Sequence, residues 1–402
     1  MKKPHLKRTV AAMLSFLLAA GAMPFAPMAE MFETVTVFAE DINAPVTYID
    51  KDGAEQTLTD YMTVTAEAQD WTDAGYYGWL VVKDDVTING FRDIGDSILN
   101  LIICDGKTLT VTNDGGYPSA IYGNNGTLNI YSQSGGTGTL KVKTTGNTES
   151  GIELSHLYFY GGKLEVDSTS LGKDGEGYYA SKHPAIFGGV HLSWNSPTDR
   201  IILKHTPTEG GTVSLVEDEV PEFIKSYIIE GTNTLADSAK TTDDFTALCN
   251  GKTLVPAYKI TFDMNCDELE NIEKGVLADG TQKAESPEDP VRQWGYTFLG
   301  WYESKDGEGE AFDFSKPVTK DTTLYAKWHR DETERNIVID KNIKNGTVTA
   351  DKEKAESTDI VTLTATPDVG YTVKSVKYNN TEIAPQNGVY SFKMPAEEVT
   401  VT

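Results

Sequence analysis

The sequence predicts an all-β protein: a short right-handed parallel β-helix followed by two smaller β modules. Three observations predict it. The residue mix leans towards Thr, Val, Gly, Tyr and Asn, while runs of Ala, Leu, Glu and Lys are scarce, which favours strands and turns. Apolar–polar–apolar triplets recur in the first half between Gly and Asn turns. The second half carries two compact patterns of aromatic residues, alternating strands and Gly turns. A length of 402 residues allows two to four domains at about 100–200 residues each.

The chain opens on a basic segment, Met1 to Arg8, and an uncharged apolar stretch, Val10 to Ala22. Small residues then offer cleavage points, Val37-Phe38-Ala39 before Glu40 and, as a competitor, Ala20-Gly21-Ala22. The apolar stretch is shorter than the ~20 residues of a membrane span. Residues 1–39 are therefore expected to be a signal peptide and the rest exported. They hold four basic and two acidic side chains, so their removal takes the net charge from −25 to −27. So acidic a body repels phosphate backbones and anionic lipid, which argues against nucleic acid and direct membrane insertion as partners. Cys104, Cys249 and Cys266 are too few and too widely spaced for a disulfide framework, though a Cys249–Cys266 bridge stays open.

Residues 40–256 hold the triplets Leu109-Thr110-Val111, Leu128-Asn129-Ile130, Leu140-Lys141-Val142 and Leu164-Glu165-Val166. Alternation sends the outer two residues of each to one face and the middle one to the other. Strands this short share a core only when stacked, and triplet spacings of 12–24 residues lie near one solenoid turn. A β-sandwich is the structural alternative. The runs Gly78-Trp79-Leu80-Val81-Val82, Asp105-Gly106-Lys107-Thr108-Leu109 and Ala185-Ile186-Phe187-Gly188-Gly189 resemble bacterial secreted β-helix domains.

Residues 257–330 contain Ile260-Thr261-Phe262-Asp263, Gly295-Tyr296-Thr297-Phe298, Gly300-Trp301-Tyr302, Phe312-Asp313-Phe314 and Thr323-Leu324-Tyr325-Ala326-Lys327-Trp328. This resembles the internalin-type B-repeat (Listeria–Bacteroides repeat) family, which implies a β-grasp-like module of surface proteins. So small a domain needs large aromatics to fill its core, which places Trp301 and Trp328 inside. Residues 331–402 carry Lys344-Asn345-Gly346-Thr347-Val348, the alternating run Ile360 to Ala365, Gly370-Tyr371 and Phe392-Lys393-Met394-Pro395. They resemble immunoglobulin-like bacterial repeats, which implies a β-sandwich-like module. Relatives of that kind run a few residues further, so a truncated C-terminus is expected.

Chemistry is sparse in the sequence. Asp84, Asp85, Asp93, Asp96 and Asp105 are the candidate carboxylates of a β-helix enzyme, and each also fits a turn that bonds its own backbone. His156, His183 and His205 recur near a coil length and are expected to stack on one face. No pair has zinc-protease spacing, and Gly175-Glu176-Gly177-Tyr178-Tyr179-Ala180 lacks the βα context of a dinucleotide loop. No catalytic residue, metal or cofactor is expected. Ligand-binding candidates are Tyr178, Tyr179 and Trp194, whose rings stand in polar stretches where they can stack on sugars. Trp71 and Trp79 are expected to cap the open end of the solenoid. The B-repeat resemblance implies a secreted or cell-surface adhesion or scaffold protein whose partner is a glycan or a host surface protein. A carbohydrate-active β-helix enzyme with appended repeats is the alternative.

Overall fold

The computed structural model describes residues 44–402 except 68–69, 77, 115–118, 146–149, 171–183, 208–212, 217–218 and 388. The chain is all-β, with 48% of residues in strands against 5% in helices.

From Ile98 to Pro207 successive strands alternate between two parallel sheets. Ile98–Ile103, Ile121–Ser132, Ile152–Phe159 and Ile186–Leu192 lie in an eight-stranded sheet. Thr108–Asn113, Thr139–Thr144, Lys163–Ser170 and Arg200–Pro207 lie in a ten-stranded one. The triplets explain the register. Leu109, Leu140 and Leu164 stand side by side with Ile201, and Val111, Val142 and Val166 with Leu203. In the other sheet Leu101, Ile130, Phe159 and Leu192 form the matching row. These inward rows merge into one buried cluster between the sheets. The Leu128 triplet lies opposite the others, so one circuit of the chain takes two strands, and the shorter triplet spacings are half-circuits.

The ends of this core are closed differently from each other. Trp71 is fully buried in it, held in a short 3₁₀ turn capped by the Asp70 carboxylate. Trp79 does not share that role: it stands half-buried on the outer face, beneath the hairpin of Val46–Ile49 and Glu55–Leu58. At the far end the helix Thr242–Cys249 inserts Phe245 and Cys249 into the core. Its start is a capping box: Asp244 N–H donates to Thr241 Oγ1 at 3.1 Å, and Thr241 N–H donates to Asp244 Oδ2 at 3.2 Å. Thr241→Ala is expected to cost about 1 kcal/mol in a urea melt of the chain, because it leaves an N-terminal donor unpaired.

All three cysteines are free thiols. Burial pushes the Cys249 thiol up to about 12, so it packs as a small hydrophobe. Cys104 is half-buried under the hairpin.

The strand Thr253–Asp263 crosses the boundary expected at residues 256/257. Its first half pairs with Arg200–Pro207 and Tyr227–Ile229, its second half with Ile272–Leu277 and Thr322–Arg330. Lys259 Nζ clamps the joint, 2.7 Å from Asp237 and 3.5 Å from Glu273. The second module buries Ile260, Phe262, Trp301 and Leu324 in its own core. The third packs a five-stranded and a three-stranded sheet around Val361, Phe392, Met394 and Val399. Arg330 ties the two together: Nε donates to Ser357 O at 3.0 Å, and Nη2 reaches Glu356 at 2.8 Å and Asp359 at 3.3 Å.

Candidate functional site

The two flat faces of the first module differ in kind. On the ten-stranded sheet the outward rows are Thr87, Thr110, Lys141, Glu165 and Ile202, and Asn89, Thr112, Lys143, Asp167 and Lys204. Lys141 pairs with Glu165 at 3.0 Å and Lys204 with Asp167 at 3.3 Å. Such a face is built for water.

The outer face of the eight-stranded sheet carries one in-register row across six strands: Trp79, Asn100, Asn129, Tyr158, His191 and Glu222. Parallel pairing fixes this order, since each residue stands beside its partner about 4.8 Å away. Asn129 Nδ2 donates to Asn100 Oδ1 at 3.0 Å. The Tyr158 and His191 rings stack at 4.2 Å with 9° between their planes. His191 Nδ1 donates to Glu222 Oε2 at 2.6 Å, which leaves Nε2 facing His156 Nδ1 at 3.4 Å. Tyr160 joins the stack beside Tyr158 and Tyr131. Burial raises the phenol pKa of both Tyr131 and Tyr160, so they stay neutral hydroxyls.

A register shift between Glu153 and His156 lets the outward residues change step, and glycines make room for it. A Cβ on Gly188, whose φ is +110°, would lie 1.8 Å from Leu154 O. One on Gly189 would lie 2.7 Å from His156 Nδ1. The Gly-Gly pair therefore seats the His156 ring.

Among the described residues the row is covered at one end only. The hairpin lays Val46, Tyr48 and Leu58 over Val81, Ile102 and Trp79, and Gln133 Nε2 donates to Thr47 O at 3.1 Å to hold it down. Tyr158, His156, His191 and Glu222 lie beyond that cover. Stacked rings use their faces on one another, so the row offers edges: phenol hydroxyls, imidazole nitrogens, amides and a carboxylate.

The sequence candidates fare unevenly. Tyr178, Tyr179 and His183 lie outside the described residues, as do residues 1–39. Trp194 sits at the joint with the second module. Its Nε1 donates to Ser226 O at 3.0 Å, Lys225 Nζ lies 4.6 Å over its ring, and Tyr258 packs edge-on at 5.7 Å. His156 lies beside His191, the rings tilted 46° at 5.5 Å, and not beside His205, which is buried in the other sheet with Nδ1 3.0 Å from Ser168 Oγ. Asp93 caps its own turn by accepting from Gly95 N–H, and Asp96 accepts from Asn125. Asp105 reaches one circuit further than expected, accepting from the backbone of Gly135 and Thr137. Among the described residues no three His, Cys, Asp or Glu side chains are placed to hold a metal ion.

The sequence reading missed His191 and Glu222. The signal lay in the phase of Val190-His191-Leu192, an apolar–polar–apolar triplet like the four it used.

Residues 258–327 match the family model of the Listeria-Bacteroides repeat domain, and residues 338–402 that of the divergent InlB B-repeat domain. The second and third modules are repeat domains of this kind. For the third, the matching family differs from the immunoglobulin-like repeats that its turns resemble. Neither match reaches the first module, and no curated protein matches the chain. Such repeats occur in extracellular or surface proteins. Among the described residues no helix is long and apolar enough to cross a membrane.

Proposed function

We propose that this chain is a non-catalytic adhesion or scaffold protein of the cell surface or extracellular space. In this reading the first module is a short right-handed parallel β-helix that presents one face to a glycan or a host surface protein. The β-grasp-like and β-sandwich-like repeats act as spacers. The observation that carries the reading is the end of the row at Tyr158, His191 and Glu222, which no described residue covers, set opposite a face of hydroxyls and ion pairs. Export rests on the basic and apolar start of the chain and on the company such repeats keep. The bonded joints suit spacers, because a shared strand and the Arg330 cluster resist bending.

The mature chain is expected to bind on a glycan array or to host surface proteins. Tyr158→Ala with His191→Ala should weaken that binding about tenfold or more while the melting curve holds. Binding untouched by that pair of changes would place the site elsewhere.

A carbohydrate-active enzyme is the second reading, favoured by one contact. Glu222 orients His191 at 2.6 Å, as a general base needs. Depolymerisation of any polysaccharide, lost in Glu222→Gln, would replace the non-catalytic reading.

A further inference from the structure

We propose that the margin of this same face, the row Asp93, Tyr122, Glu153 and Phe187, docks an extended arginine-bearing segment of another polypeptide. The inference rests on the reading of the face as a partner-binding surface and names the partner's chemistry.

The four residues are lateral neighbours on successive strands, so acid and aromatic alternate along the row. Phe187 is a large apolar ring, 38% exposed among the described residues, and Asp93 is exposed at the other end of the row. Asp93 and Glu153 each accept one hydrogen bond, from Gly95 N–H at 2.7 Å and from Ser119 Oγ at 2.8 Å. Neither has an ion-pair partner among the described residues. Among the described residues the outward rows of this sheet hold no lysine or arginine and add Glu222; Arg92, next to Asp93, stands half-buried in the Ile121 row with Nη1 donating to Phe91 O. The opposite face holds Lys141, Lys143, Lys163, Arg200 and Lys204 against Glu165 and Asp167. Acids stand on both faces of the module, but the outward lysines lie on one, where Glu165 and Asp167 are paired with them.

A chain of net charge −25 attracts cations at long range, and this face attracts them at contact. Adjacent strands place the backbone of each acidic residue about 4.8 Å from that of an aromatic one. A guanidinium fits that pair, stacking flat on the ring while forking to the acid. The protein already contains the arrangement: Arg292 lies 3.8 Å over the Tyr296 ring, with Nε and Nη2 each 3.1 Å from Glu268. An amino sugar could lay its ring on the aromatic face, but its ammonium is a point charge that cannot fork to the carboxylate while stacking, so the row favours arginine.

The test is fluorescence anisotropy of a labelled peptide alternating Arg and Thr, titrated with the full chain. Saturable binding that weakens as salt rises is expected. Glu153→Gln or Phe187→Ala should weaken it about tenfold, while Lys143→Gln on the far face leaves it unchanged. Circular dichroism melts check that each variant is folded. Absence of saturable binding, or binding indifferent to both variants, overturns the proposal. Chitosan oligomers bound through Glu153 and Phe187 in place of the peptide would also overturn it, while leaving the face as a partner-binding surface.

Discussion

Replacing Asp199 by Ala is expected to destabilise the first module by about 3–5 kcal/mol, and by more at pH 5 than at pH 7.5. Asp199 is fully buried, and its carboxylate accepts from the backbone N–H groups of Gly162 and Asn195, both at 2.8 Å, and of Ser196 at 3.0 Å. It thus ties the turn before Arg200–Pro207 to the turn before the neighbouring strand Lys163–Ser170. Alanine strands three buried donors at about 1–3 kcal/mol each, offset in part by local relaxation. Burial pushes this carboxyl up to about 6, against the three donors and Lys225, which pull it down. A carboxyl raised in the folded state contributes stability that is whole below about 3.8 and lost as pH rises through about 6. The shift corresponds to about 3 kcal/mol in all, spread over that window. The surface acids move the other way: hydrogen bonds hold Asp70, Asp313 and Asp331 below their usual range, so they lose stability on acidification. Urea melts of wild type and variant across pH 4–8 separate the two, since the surface terms cancel in the difference. A difference that grew towards pH 8 would show the carboxyl to be held ionised.

How much of this was legible in the sequence depends on how local each cause is. The triplets are local, and they placed Leu109, Leu140 and Leu164 on one inward row as their phase requires. The period was misjudged because a triplet says which way its residues face but not which sheet it joins; only pairing shows that Leu128 lies opposite. The helix Thr242–Cys249 carried a local sign, Thr241 with Asp244, that composition alone concealed. Trp79 looked like a cap because its cover, the hairpin around Tyr48, lies 31 residues upstream and is polar at its turn. The candidate row is the least legible element. Tyr158, His191 and Glu222 are far apart in the chain and become neighbours only through strand register, which a shift at Glu153 and two glycines set. Trp194 was visible as an aromatic in a polar stretch, yet its environment comes from Lys225, Ser226 and Tyr258, all on later elements.

Trp301→Ala is expected to unfold the second module at temperatures where the first remains folded. Trp301 is 3% exposed and takes Phe262 edge-to-face at 4.9 Å and Phe298 at 5.2 Å. Truncating it removes about 3–5 kcal/mol from a domain whose size limits its total stability to a similar figure. The indole Nε1 is buried without a hydrogen-bond partner among the described residues, so Trp301→Phe gives up volume but also removes an unpaired donor. That variant should keep most of the stability, whereas a tryptophan retained for its N–H would not be replaceable. Trp328 makes the contrast: its Nε1 donates to Met264 O at 2.8 Å, so Trp328→Phe leaves a buried carbonyl short of a donor. Calorimetry of the full chain should show a lowered transition for the second module, with the first module's transition displaced far less. The shared strand Thr253–Asp263 sets that smaller displacement, because unfolding its second half frays its pairing with Tyr227–Ile229. Equal displacement of both transitions would mean that this strand makes the two modules one cooperative unit, and an unshifted melt with lost binding would make Trp301 a ligand platform instead of core.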